Sequence, residues 1–241
     1  MMRNQLDKPC VISSKTQSLS GVILSGAQGA ESKNLADFKL LITCEHASNA
    51  LPADACGLHI SEALLHSHRG YDIGAFAVYQ ELVKKFKPDF CCAGNYSRLY
   101  VDLNRSLRNN RNACPAALAY HKAYWSAVEN FVARNLPRNK GGMSLAPLLH
   151  LAIHSFTPVL NGVERNADIG ILYDPSRSAE KAYADVIVDE ILRDYPQYKV
   201  RRNYPYLGKT DGLCTALRKK FDLHKTGCYV GFEIEINQKL L

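Results

Sequence analysis

Residues 38–49 read FKLLITCEHASN, a short apolar run that ends on His46 and then breaks into small polar residues. Residues 148–158 read LLHLAIHSFTP and repeat this pattern around His154. Each run predicts a buried strand with a histidine at its end. In an open α/β sheet, ligands bind outside the carboxyl ends of the strands, so we expect the two histidines to meet there. Two histidines that meet at the end of a sheet favour a metal-binding site.

Strand and helix patterns alternate from residue 38 to the end of the sequence. Strands are predicted over residues 40–44, 89–93, 148–153, 167–173, around Val200, and over 228–236. Helices are predicted over residues 73–86, 115–136, 178–192 and 213–221. The alternation predicts an α/β fold whose mixed, mostly parallel sheet is covered on both faces. Residues 1–36 are rich in small polar residues and are expected to be an N-terminal extension to one domain, residues 37–241.

The composition narrows the class of partner. The 241 residues are 46% hydrophobic, which is enough for a sizeable core. The net charge of +7 comes from short, scattered clusters, so we expect no nucleic-acid partner and a site suited to a small anionic molecule. No apolar run has the length of a signal peptide core or a membrane span, so we expect no membrane partner.

The eight cysteines include no Cys-x-x-Cys pair, which argues against a zinc ribbon or a thioredoxin-type motif. Four of them, Cys44, Cys91, Cys92 and Cys228, lie in apolar runs and are expected to pack as small hydrophobic residues. This usage favours a reducing, cytoplasmic location.

Two further side chains are candidate metal ligands. Asp72 begins a predicted helix, where it either caps the helix or presents a carboxylate oxygen to a metal, and His68 is an alternative donor nearby. His150 lies four residues before His154, about 13 Å away along a strand, so the two are not expected to share one ion. Two histidines and one carboxylate form a common catalytic zinc set with one position left for water.

Catalysis at such a site needs a base, and substrate recognition needs a positive charge. Glu233 and Glu235 lie two apart inside an apolar strand, where an unpaired carboxylate is costly, so at least one is expected to be functional. Arg98 and Arg105 are candidates for binding a substrate carboxylate, the alternative being an ion-pair network with Asp102.

Six motifs occur in an order that is typical of one enzyme family. They are TCEHASN with Pro52, HRGYDIGA at 68–75, YSRL with DLNR at 96–105, HSFTP at 154–158, DIGILY at 168–173 and EINQ at 235–238. In these motifs the chain resembles the N-formylglutamate amidohydrolase family. The formylglutamate-specific branch has Pro-His-Ser-Gly at the first histidine where this chain has Glu-His-Ala-Ser, so other N-acylated amino acids or small peptides are candidate substrates too.

The resemblance implies a three-layer α/β/α, phosphorylase/hydrolase-like fold similar to zinc carboxypeptidases and zinc-dependent cell-wall amidases. It implies hydrolysis of a C–N amide bond with Zn²⁺ as cofactor, and it makes residues 37–241 an amidohydrolase catalytic domain. The implied zinc ligands are His46, Asp72 and His154. Glu235 matches the family's base best, with Glu233 second, and Glu45 is left out of the ligand set.

The predicted function is therefore zinc-dependent hydrolysis of a small anionic N-acyl amino acid such as N-formylglutamate, with Arg98 and Arg105 on the substrate. The alternative is a non-catalytic protein that binds a small ligand and retains the fold. A nucleotide-binding protein is disfavoured because no Gly-rich phosphate loop follows the first strand.

Overall fold

The computed structural model of the protein describes residues 38–136, 147–222 and 228–241. Short apolar runs of the sequence form its strands. The strands are β1 (Lys39–Cys44), β2 (Phe90–Ala93), β3 (Leu148–Phe156), β4 (Val159–Leu160), β5 (Val163–Glu164), β6 (Ile169–Leu172), β7 (Val200–Arg202) and β8 (Tyr229–Asn237). The helices are α1 (Glu62–Leu65), α2 (Ala75–Phe86), α3 (Pro115–Asn135), α4 (Ser178–Asp194) and α5 (Leu213–Phe221), with 3₁₀ turns at Leu107–Asn109 and Gln238–Leu240. The predicted extension, residues 1–36, lies outside the described residues, so that domain boundary stays a prediction.

Six strands form one sheet in the order β2-β1-β3-β8-β6-β7. Among the described residues of this sheet, the pairs β1–β2, β1–β3, β3–β8 and β6–β7 are parallel, and the pair β6–β8 is antiparallel. The predicted mixed, mostly parallel sheet is therefore confirmed. Strands β4 and β5 form a separate hairpin directly after β3.

Helices cover both faces of this sheet and give the three-layer arrangement. On one face, α2 and α4 pack on alternate strand residues such as Ile42, Ile153 and Phe232. On the other face, α3 and α5 pack on Leu41 and Tyr229. The period of two along each strand explains the division, because successive side chains point to opposite faces. The expected α/β/α fold is confirmed.

The element boundaries differ from the predicted ones mainly at loops. Strand β3 extends past His154 to Phe156, because its last residues stay in register with Ile236 and Asn237 of β8. The short helix α1 and the β4–β5 hairpin were not predicted. Two to four residues are too few for a periodic pattern to stand out.

The cysteines behave partly as expected. Cys44 is buried, but Cys91 is exposed on β2, so the expectation that it packs in the core was wrong. Its strand lies at the edge of the sheet, where one neighbour is missing. Cys56 and Cys114 form a disulfide that joins the loop before α1 to the residue before α3. Within the described ranges, no helix combines the length and the apolar character needed to span a membrane.

His150 is a buried residue of the core in the middle of β3. Its Nε2 lies 2.8 Å from the Thr43 hydroxyl, and its Nδ1 lies 2.7 Å from the Tyr229 hydroxyl. Burial lowers the pKa of His150 from 6.5 to about 4, because the charged imidazolium would lose its hydration there. The folded protein therefore keeps this side chain neutral at pH values where the unfolded chain protonates it.

This difference predicts a pH dependence of folding. As pH falls from 6.5 toward 4, the unfolded chain gains a proton at His150 that the folded chain does not bind, so the free energy of unfolding should fall by about 3 kcal/mol. Denaturant melts of His150→Gln should show a shallower pH slope than the parent protein by that amount. His59→Gln, which removes an exposed histidine, is the control and should keep the parent slope. Equal slopes in all three proteins would contradict the assignment.

Candidate metal centre

The sheet register brings the two predicted histidines to one edge. Strand β1 runs parallel to β3 with Thr43 opposite Ala152, and the turn after β1 carries Glu45 and His46. His154 lies two residues before the end of β3. Chain segments about a hundred residues apart in sequence therefore meet at the carboxyl ends of neighbouring strands, as the sequence predicted.

Asp72 lies between the two histidines. Its Oδ2 atom is 2.8 Å from Nδ1 of His154 and 3.5 Å from Nδ1 of His46. One ligand atom from each of the three residues lies within 4.8 Å of the other two, and all three residues are buried. A buried His-Asp-His group of this size could hold a metal ion, and it consists of the three residues that the sequence motifs pointed to.

The chain holds Asp72 in place through its main chain and both carboxylate oxygens. The Asp72 N–H donates to the carbonyl oxygen of His46 at 2.9 Å. Oδ1 forms an ion pair with the Arg98 guanidinium, and Oδ2 also accepts from the N–H of Ser155 at 3.3 Å. The capping role considered for Asp72 was wrong, because Gly74, with φ of 79°, occupies the position before α2.

Each histidine also has a second carboxylate near Nε2, the ring nitrogen that does not face Asp72. Asp102 Oδ1 lies 2.7 Å from Nε2 of His46, in hydrogen-bonding geometry. Glu45 Oε2 lies 3.0 Å from Nε2 of His154, although the two are not aligned as a hydrogen bond. Metal-ligating histidines usually have such a carboxylate behind them, which fixes the ring orientation and the tautomer. Sequence reasoning weighed Glu45 only as a ligand and Asp102 only as an ion-pair partner of arginine.

Several buried polar atoms of this cluster have no hydrogen-bond partner within the described part of the chain. They are His46 Nδ1, His154 Nε2, Glu45 Oε2 and Glu235 Oε2. A buried polar group without a partner is costly. His154 Nε2 and Glu45 Oε2 lie 3.0 Å apart and offset each other, so His46 Nδ1 and Glu235 Oε2 are the atoms whose burial best fits a bound cation. The nitrogen and oxygen donors of the group suit a divalent cation such as zinc.

The charges of the cluster are strongly coupled. Burial opposes ionisation of Asp72, but Arg98 and the histidines outweigh burial and hold the Asp72 pKa well below its usual range. Burial likewise opposes protonation of His154, but its contacts with Asp72 and Glu45 raise the His154 pKa well above its usual value. Both shifts favour an ion pair between Asp72 and His154, whose Oδ2 and Nδ1 atoms lie 2.8 Å apart.

Glu233 and Glu235 both face this cluster from β8. Glu235 is opposite His154 in the strand register, and Glu233 is opposite Ala152. Burial, with the Asp72 and Glu233 charges, raises the pKa of Glu235 to about 8, and burial also raises the pKa of Glu233. The side chain beside His154 is thus a proton-binding carboxylate without a fixed partner on Oε2.

The remaining candidates are placed as follows. The Arg98 guanidinium pairs with Asp72. Arg105 is exposed, and its Nη1 donates to the carbonyl oxygens of Asn104 at 2.9 Å and Asp211 at 2.6 Å. His68 is exposed and lies outside the His-Asp-His group, as does His150.

Comparison with known proteins agrees with this geometry. Residues 38–119 match the sequence model described as N-formylglutamate amidohydrolase. The resemblance to that family is confirmed. The matched range contains His46 and Asp72, two of the three members of the candidate metal centre. It supports an N-formylglutamate amidohydrolase-like hydrolase.

A solved structure shares the fold of this chain. The crystal structure of a gene product from Agrobacterium tumefaciens is 27% identical, with a TM-score of 0.59, and the match covers 89% of this chain and 83% of that chain. A search of curated proteins finds no match.

The geometry predicts which side chains bind metal. Purified His46→Ala, Asp72→Asn and His154→Ala proteins, reloaded with Zn²⁺ and desalted, should each hold far less than one equivalent, because each removes one of three donors. His121→Ala removes a buried histidine outside the group and should load like the parent protein. Elemental analysis measures the content, and full loading of the His154→Ala protein would rule out this ligand set.

Proposed function

We propose that the protein is a metal-dependent amidohydrolase that cleaves the amide bond of a small N-acylated amino acid, with N-formylglutamate as the first candidate substrate. The observation that carries the proposal is the buried His46, Asp72 and His154 group with Glu235 beside it. The family match over residues 38–119 supports the reaction class. The geometry supports a hydrolase because it combines a metal-ligand set with an adjacent proton acceptor.

The proposed cofactor is Zn²⁺, held by His46, Asp72 and His154. When bound, such an ion lowers the pKa of water toward ~7 and polarises a carbonyl. Asp102 orients His46 through the contact to Nε2, and Glu45 faces Nε2 of His154. These two carboxylates keep the ligand nitrogens directed at Asp72.

Glu235 is the proposed general base. Its buried Oε2 atom has no hydrogen-bond partner among the described residues, and in the ionised form it can accept a proton from the attacking water. The raised pKa lets the same oxygen hold that proton and then donate it to the leaving nitrogen of the substrate. Glu233 is the alternative base, two residues away on the same face of β8.

Arg98 and Arg105 are proposed to recognise the anionic substrate. Arg98 is a quarter exposed, and its guanidinium already contacts Asp72, so it is placed to stabilise negative charge that develops next to the metal centre. Arg105 is exposed, and its proposed role is to bind a substrate carboxylate.

An amidase screen with a chelator tests the proposal. Purified protein should hydrolyse at least one member of a set of N-formyl, N-acetyl and peptidyl amino acids. A strong chelator should abolish the activity, and Zn²⁺ should restore it, because the proposed reaction needs the cation to activate water and polarise the amide carbonyl. Amine release measures the rate. Binding of these compounds without turnover, under full zinc loading, would favour a non-catalytic binding protein instead.

Two variants separate the candidate bases. Glu235→Gln should lower kcat by about 10²- to 10⁴-fold while zinc content stays at the parent level, because the proton acceptor is lost and the ligands are intact. Glu233→Gln preserves shape in the same way and should lower kcat much less. Steady-state kinetics and metal analysis on the same samples measure both. A larger loss in Glu233→Gln than in Glu235→Gln would exchange their roles.

A further inference from the structure

A cavity of about 660 Å³ lies next to Arg98, the residue that pairs with Asp72 of the candidate metal centre, and Arg98 is the one lining residue that has a role in the proposed function. Three separate segments line it: the loop with Cys56 and Leu58, residues 98–101, and residues 108–114. Its volume falls within the range of about 300–1,000 Å³ that is usual for small-molecule sites. The disulfide between Cys56 and Cys114 joins two of these walls.

The lining of the cavity carries positive charge without negative charge. It contains Arg98, Arg108 and Arg111, and no aspartate or glutamate of the described part of the chain lines the cavity. Arg108 and Arg111 are exposed, and no ion pair to either guanidinium occurs among the described residues. Arg111 Nε donates only to the carbonyl oxygen of Arg108, at 2.8 Å. Guanidinium groups without a carboxylate partner at a concave surface favour an anion with planar oxygens.

The amino end of α3 adds to the positive potential. Cys114 is the residue before this 21-residue helix and also lines the cavity. The first N–H groups of a helix carry the positive end of its dipole, which favours an anion near them. Asp54 is the acidic residue that precedes Cys56 most closely in the sequence. Its Oδ1 atom accepts a hydrogen bond from the Cys56 N–H at 3.1 Å.

Two residues of the cavity wall connect it to the candidate metal centre. Arg98 lines the cavity, and its guanidinium pairs with Asp72. Asn110 lines it as well, and its side chain makes two 2.9 Å hydrogen bonds with the main chain of Asp102, the residue that contacts His46. An anion in the cavity would therefore touch the same segment that positions two members of the centre.

We propose that this cavity is an anion-binding site for a carboxylate or phosphate group, with Arg108 and Arg111 as its principal cations. The anion is either a carboxylate of the substrate remote from the scissile amide or a separate small anion. Binding itself is independent of the proposed function; only the assignment to the substrate rests on it.

Calorimetric titration of the full chain with glutarate and with inorganic phosphate tests the site. The parent protein should bind at least one probe, and Arg108→Gln with Arg111→Gln should weaken that binding by at least tenfold. Arg134→Gln with Arg193→Gln removes two charges from exposed positions on α3 and α4 and is the matched control, which should bind like the parent. No binding to the parent, or equal binding by both double variants, would overturn the proposal.

A second variant guards against a folding artefact. Asn112→Asp hardly changes side-chain size but places a negative charge on the lining, so it should also weaken binding at least tenfold, with an unchanged thermal melting temperature. Binding at the parent level by a folded Asn112→Asp protein would count against the site.

Kinetics with a matched substrate pair then distinguish the two sources of the anion. If the anion is the substrate's carboxylate, the Arg108 and Arg111 double variant should lower kcat/KM for N-formylglutamate at least tenfold and leave that for N-formylglutamine unchanged. If the anion is separate, the preference between the two substrates should stay the same while probe binding is lost. If no amide is hydrolysed, the proposed function fails, and the titrations still decide the anion site.

Discussion

The candidate site depends on the burial of one carboxylate, that of Asp72. A buried carboxylate costs several kcal/mol unless cations and hydrogen-bond donors surround it. Arg98 occupies Oδ1, while Nδ1 of His154 and the N–H of Ser155 occupy Oδ2. The Asp72 N–H binds the main chain of His46. Four chain segments must therefore meet at one side chain, and this requirement fixes the loop before α2 against the ends of β1 and β3.

The register of the sheet fixes the relative positions of the side chains around Asp72. His154 and Glu235 are direct neighbours across the parallel β3–β8 pair, so the proposed base and one proposed metal ligand come from two paired strands. Side chains alternate between faces, and a shift of one residue in that register would move Glu235 to the opposite face. His150 shares the site face of β3 but lies four residues, or two pleat repeats, before His154, where burial next to Thr43 and Tyr229 makes it a neutral core residue.

Sequence periodicity predicted the part of the site that strands carry. The ends of two parallel strands lie at one edge of a sheet, so the meeting of His46 and His154 followed from pattern and topology. Loop residues do not follow any period, and this is why the Arg98–Asp72 pair and the Asp102 contact with His46 had to come from the structure. The Cys56–Cys114 disulfide was beyond prediction for the same reason, because cysteine connectivity cannot be read from sequence.

The charges of the cluster explain why a cation suits it. Five carboxylates surround the two histidines and Arg98, and these are Glu45, Asp72, Asp102, Glu233 and Glu235. Proton binding offsets this excess, because the pKa of His154 is raised well above its usual value and that of Glu235 rises to about 8. A divalent ion bound to the ring nitrogens must displace the histidine protons, so its binding releases protons and weakens as pH falls. The positive charge of such an ion would also favour the ionised form of Glu235, the proposed base.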